Sequence, residues 1–158
     1  MTKDLMVELQ KHPFVETFRP EHTAALAKMA KQVHFDANQV IFHEGDVYSV
    51  FYLLGEGMVA LELEGAEHVL RVQTLYAGDV FDWSALLPHA GKHFQARALT
   101  PVTALAFEGE QLLAAFKSDP EFGMAFMLRL MGVVSERLRA TRVQLLDMYS
   151  PVAKRAGT

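Results

Sequence analysis

Residues 78–99 read Gly78-Asp79-Val80-Phe81-Asp82-Trp83-Ser84-Ala85-Leu86-Leu87, then Pro88-His89-Ala90-Gly91-Lys92-His93-Phe94-Gln95-Ala96-Arg97-Ala98-Leu99. Asp79-Val80-Phe81 has the apolar character of a strand. Ser84–Leu87 reads as a short helical segment, Pro88–Lys92 as a polar loop and His93–Leu99 as an alternating strand. A helix N-terminus opposite a cation makes an anion site. Backbone N–H groups and the positive end of the dipole point at the ligand, and the cation closes over it. Here the N-terminus lies near Ser84 and Ala85, and the cation is Lys92.

Upstream of this stretch the chain is short strands punctuated by turns. Val40 and Phe42 alternate with polar neighbours, and Glu44-Gly45-Asp46 turns the chain. Val50–Leu54 is a buried strand, Gly55-Glu56-Gly57 a hairpin, and Met58–Glu64 alternates Val59, Leu61, Leu63 against Ala60, Glu62, Glu64. Gly65-Ala66-Glu67 turns again before a strand at His68–Leu75, and Val102–Phe107 is the last strand. This rhythm predicts an antiparallel sandwich, barrel or roll. Before it come two helices. Residues 1–11 carry Leu5, Met6 and Leu9. After the break at His12-Pro13, a helix opening at Pro20 carries Ala25, Leu26, Met29, Ala30 and Val33 on one face.

After Gly109 the period becomes helical again. Gln111–Lys117 is a short helix, and Ser118-Asp119-Pro120-Glu121 starts a long one. In the long helix Met124, Met131, Leu138 and Leu145 are seven apart, and Met127, Val134, Thr141 and Met148 follow three residues on. That is a coiled-coil seam, on a helix on the order of 45 Å long to Tyr149. It predicts a homodimer. Arg129, Arg137, Arg139 and Arg142 make the helix locally basic and are read as solvated flanks. The expected layout is a single domain over 1–158: helices over 1–36, roll over 37–109 with 78–99 within it, helices over 110–149 and a polar tail over 150–158.

Composition narrows the function. With 158 residues, 51% of them hydrophobic and 22% charged, the chain can bury a substantial core. A net charge of -4 argues for neither nucleic acid nor an anionic membrane. No cysteine means no disulfide framework, thiolate cluster or thiol nucleophile. No apolar leader or membrane-length run is present, so a cytoplasmic location is expected. No two of the 7 histidines are separated by one residue, as a cupin metal site requires. No Gly-x-Ser-x-Gly elbow surrounds Ser84. Neither a metal nor a catalytic role is expected.

The 78–99 stretch resembles the phosphate-binding cassette of the cyclic-nucleotide-binding domains, the β-roll family that includes the catabolite activators. That cassette runs Phe-Gly-Glu-Leu-Ala-Leu, a variable loop, then Arg-(Ser/Thr)-Ala. Phe81 falls on the Phe, Asp82 on the Gly, Trp83 on the Glu, and Ser84, Ala85 and Leu86 on Leu-Ala-Leu. Lys92 falls on the Arg, His93 on the Ser/Thr and Phe94 on the Ala. The resemblance spans Pro13 to Tyr149, and Glu44-Gly45-Asp46, Phe51–Leu54, Gly57 and Gly78 match its turns and strands. It implies a mainly β fold: a double-stranded, jelly-roll-like antiparallel β-roll flanked by N-terminal helices and closed by a long C-terminal dimerisation helix. It implies cAMP or cGMP as a regulatory ligand at Phe81, Asp82, Trp83, Ser84, Ala85, Lys92 and His93, and an unidentified partner protein. The family's transcription factors follow this helix with a helix-turn-helix domain. The residues after Tyr149 are too few for one, so a stand-alone sensor without direct DNA binding is expected.

Three substitutions leave the ligand open. The family Glu accepts the ribose 2′-hydroxyl, whereas the Trp83 indole only donates, although its ring can stack on a flat ligand. Lys92 supplies charge without the two-pronged grip of Arg. Asp82 stands where a helix N-cap would, its carboxylate able to bond the N–H groups a phosphate would use and to repel an incoming anion. A protonated His93 would offset that charge. Arg97 is expected to pair with a carboxylate or lie over the roll. Two readings follow, a ligand sensor and a degenerate roll serving as a dimeric interaction module.

Overall fold

The computed structural model describes the backbone of residues 2–47, 49–87 and 94–156, and the side chains of 5–47, 49–87 and 94–149. It contains two compact units, Met1–Gly123 and Met124–Thr158. The first opens with helix α1, Thr2–Gln10, a short 3-10 helix at Pro13–Val15, and helix α2, Pro20–Met29. Pro20 sits in the first turn of α2 with Glu21 beside it, and Lys28 closes the last turn, each matched to the helix dipole.

Eight strands follow: β1 Lys31–Phe35, β2 Val40–Phe42, β3 Val50–Glu56, β4 Val59–Glu64, β5 Val69–Leu75, β6 Val80–Phe81, β7 Gln95–Ala98 and β8 Val102–Glu108. They form two antiparallel sheets, in the orders β1-β8-β3-β6 and β2-β7-β4-β5. Between them lies one apolar cluster: Phe42, Val59, Leu61, Leu75, Ala96 and Ala98 from the second sheet, and Leu54, Phe81, Val102 and Ala104 from the first. Phe51 faces the other way, its ring 5.8 Å from that of Phe14, so the N-terminal segment covers the outside of the first sheet. This is the expected β-roll.

The roll begins earlier than expected. Val33 does not extend the face of α2. The helix stops at Met29, Ala30 is extended, and Lys31–Phe35 pairs with β8 in the register Val33↔Ala104. Val33 and Phe35 pack on the core while Lys31, Gln32 and His34 are exposed. The Val59–Leu63 alternation also departs from expectation. Ala60 and Glu62, read as the outward set, are buried. Glu62 accepts hydrogen bonds from Gln95 Nε2 at 2.9 Å and Arg97 Nε at 3.1 Å, which offsets the cost of taking a carboxylate out of water. Arg97 thus pairs with the Glu62 carboxylate, and its Nη1 also donates to the Asn38 backbone carbonyl at 2.9 Å.

Helix α3, Gly109–Ser118, leads into helix α4, Pro120–Ala156. The start signal works as read: Asp119 Oδ1 accepts from Phe122 N–H at 3.2 Å, Pro120 opens the first turn and Glu121 follows. Arg19 pairs with Glu121, and the buried His22 ring lies 5.2 Å from that of Phe122, fixing α2 to this start. The helix does not end at Tyr149. It continues through Pro151 to Ala156, although Pro151 has no N–H to offer the carbonyl of Asp147.

Candidate functional site

The cassette begins where β6 pairs with β3. Phe81 lies opposite Tyr52, and their rings stack at 4.8 Å and 13°, with the Phe42 ring 6.4 Å away on the second sheet. Phe81 is fully buried, a contribution of roughly 1.5–3 kcal/mol that anchors the site to both layers. Tyr52 is read in the sequence only as part of a buried strand. Its place in an apolar run marks it as core, and only the ladder register shows that it meets Phe81.

Asp82 then turns the chain at φ 67, ψ 46, in the left-handed region. Asp and Asn are the side chains other than glycine that enter this region readily, so the turn keeps its shape with aspartate at that position. The expected capping by its carboxylate does not occur. Asp82 makes no side-chain cap, and its Oδ1 accepts instead from the Ser84 hydroxyl at 2.8 Å.

The helical segment is 3-10 and spans Trp83–Leu86, one residue earlier than expected, with Leu87 ending it through its N–H to Ser84 O at 3.0 Å. Trp83 and Ser84 are half-buried, while Ala85 and Leu86 are buried. The segment rests on the start of α3. A Cβ on Gly109 would lie 2.2 Å from Ala85 O, so only glycine permits this approach. Gly109 N–H also donates to Ser49 O at 2.7 Å. Lys92 and His93 lie outside the described residues, as does the loop from Pro88. The strand expected at 93–99 is described from Gln95 to Ala98. The structure thus brings Phe81, Asp82, Trp83, Ser84 and Ala85 together on one turn.

On α4, Met124, Met127, Met131, Leu138, Thr141, Leu145 and Met148 are exposed, and Val134 is half-buried. Met131 is 66% exposed and Met148 74%. Thr141 Oγ1 donates back to Arg137 O at 3.0 Å, leaving its methyl group as the outward surface. Arg139 donates to Glu136 at 2.7 Å, and this bond holds the Glu136 carboxyl below its ordinary range. Among the described residues no group of three or more His, Asp or Glu could hold a metal, and no helix is long and apolar enough to cross a membrane.

Comparison with known proteins agrees with this architecture. The chain is 31% identical over 138 residues to the global nitrogen regulator of a Nostoc species, a match covering 85% of this chain and 59% of the regulator. It is 26% identical over 120 residues to the cAMP/cGMP-dependent 3′,5′-cAMP/cGMP phosphodiesterase B of Dictyostelium discoideum, covering 70% of this chain and 11% of that enzyme. The chain thus spans less than two thirds of the length of either relative. A solved structure of a putative cyclic nucleotide-binding protein from Geobacter metallireducens superposes with a TM-score of 0.73 at 24% identity, covering 87% of this chain and 97% of that one. The family profile described as cyclic nucleotide-binding domain matches residues 32–119, from β1 to the residue that caps α4. With the roll, the turn at Asp82 and the helices on either side all in place, this chain belongs to the cyclic nucleotide-binding domain family.

Proposed function

We propose that this chain is a non-catalytic regulatory domain that takes up an anionic ligand at its cassette, of which cAMP and cGMP are the first candidates. The observation that carries the reading is the cassette turn: Asp82 holds the left-handed conformation and Trp83–Leu86 follow it, seated on Gly109. Phe81, Ser84 and Ala85 frame the site, Lys92 and His93 supply positive charge, and Trp83 offers a ring for stacking. Signalling passes through α4, which pairs with a second copy along Met124, Met127, Met131, Val134, Leu138, Thr141, Leu145 and Met148 and presents an altered surface to a partner protein. The named cAMP/cGMP dependence of the Dictyostelium relative supports the choice of ligand.

One observation favours a second reading. The Asp82 carboxylate stays in the turn with Ser84, a fixed negative charge beside the place where a phosphate would lie. Together with Trp83 and Lys92 it supports a roll that binds no nucleotide and acts as a dimeric interaction module. Calorimetric titration with cAMP and cGMP at low salt tests the first reading. Micromolar binding weakened about tenfold or more by Lys92→Ala is expected of the sensor. No heat and no change in melting temperature at millimolar nucleotide would sink the cyclic-nucleotide reading and move the search to other ligands and to the protein that docks on the roll or on α4.

A further inference from the structure

We infer that His12 is a positioning residue, a fastening between the N-terminal segment and the turn feeding the cassette, and that a second proton on its imidazole frees Phe14 and loosens Pro13 against Gly78. The ring is buried, 6% exposed, in a sequence otherwise notable only for its break at Pro13. Phe14 N–H lies 3.1 Å from Nδ1, and Nε2 lies 3.0 Å from Leu54 O. An amide can only donate and a carbonyl can only accept. The ring is therefore neutral, bare at Nδ1 and protonated at Nε2. A second proton would go to Nδ1 and set two donors against each other in a buried place, so the Phe14 bond must break, while Nε2–H keeps its bond to Leu54 O.

The carbonyl that His12 grips is shared. Leu54 O also accepts from Gly78 N–H at 2.9 Å, and Leu54 N–H donates to Asp79 O at 2.9 Å. Pro13 closes the other side, since a Cβ on Gly78, whose φ is +97, would lie 3.3 Å from Pro13 Cγ. His12 and Pro13 thus hold Gly78 and Asp79 from two directions, and Val80, Phe81 and Asp82 follow at once. Pro13 stands between His12 and Phe14, so release of the Phe14 bond reaches Gly78 through the Pro13 ring.

His12 lines an open groove of about 650 Å³ together with Glu8 and Lys11 of α1, His34 of β1 and Glu56 of β3. Glu8 faces Lys11 at 3.6 Å, His34 bonds Thr103 Oγ1 at 3.1 Å, and Glu56 is exposed. Asp79 Oδ2, on the turn itself, accepts from Tyr76 N–H at 2.8 Å.

The fastening rests on the roll and its turn, not on the identity of the ligand, so its test uses the full chain without nucleotide. NMR of the imidazole nitrogens identifies the tautomer, and amide hydrogen exchange is followed from about pH 8 to pH 5. At the upper end the Nε2–H tautomer is expected. As His12 titrates, exchange at Phe14 and Gly78 should quicken about tenfold, while Leu105 in the middle of β8 stays protected. His12→Asn, neutral throughout, should abolish that pH dependence. An Nδ1–H tautomer, a response at Phe14 with Gly78 unmoved, or a pH dependence that persists in His12→Asn would each overturn the inference. Should His12→Asn fail to fold, the titration of the unaltered chain decides. A nucleotide titration that fails leaves this result standing, and the reverse holds too.

Discussion

Phe81 and Asp82 sit side by side and do opposite things. Phe81 is the last fully apolar anchor, stacked on Tyr52 and close to Phe42. Phe81→Ala should cost about 3–5 kcal/mol in urea unfolding, because the surrounding rings belong to two sheets and cannot collapse into the space. Asp82 carries the change of direction. Asp82→Gly should leave stability nearly unchanged, since the left-handed turn becomes easier while the Ser84 hydrogen bond is lost. Asp82→Val should destabilise by about 1–2 kcal/mol, a difference readable by thermal unfolding. Gly109→Ala tests the seat of the short helix. A methyl group 2.2 Å from Ala85 O forces a shift, and perturbed amide resonances from Trp83 to Leu86 are the expected sign. At this scale the sequence disclosed which residues form the turn but not how Asp82 is used. Its capping role rested on position alone, whereas its carboxylate meets the Ser84 hydroxyl.

The elements were legible where their period was unmixed. The glycine-punctuated strands from β3 to β6 and the start of α4 at Asp119–Glu121 fall where the pattern set them, whereas the end of α4 lies beyond the expected Tyr149. The boundary between α2 and β1 was not legible, because Ala30 and Val33 continue a helical spacing while β1 is decided by pairing with β8, far away in sequence. Glu62 was illegible for the same reason. Nothing in Val59–Glu64 signals a buried carboxylate until Gln95 and Arg97 arrive from another strand. Glu62→Ala should cost about 1–3 kcal/mol by removing the acceptor of both. In a double-mutant cycle with Arg97→Ala, the pair should cost less than the sum of its parts. On the surface of α4 the Glu136–Arg139 pair behaves otherwise. Its Glu136 carboxyl is held low, so the contribution is present above the ordinary glutamate range and is lost as pH falls through the lowered value. Full exposure makes that contribution small and salt-sensitive, which circular dichroism of Glu136→Gln against salt will check.

For the whole molecule the governing fact is a 37-residue helix with an apolar stripe in water. Sedimentation of the full chain should give a dimer, and Leu138→Lys, which puts a charge in the middle of the stripe, should shift it to monomer at micromolar concentration. A melting temperature that rises with protein concentration would accompany the dimer, and a concentration-independent one would argue against it. The strand order carries a consequence for how the chain comes to be folded. β8 lies between β1 and β3, so β1 has no neighbour until residues 102–108 exist. During synthesis the early strands must wait, edges bare, for most of the roll to emerge, and the closure that follows joins segments some seventy residues apart. Such long-range pairing slows folding and exposes the waiting edges to other chains. Closure of the first sheet is therefore late in the life of the polypeptide, since it waits on β8.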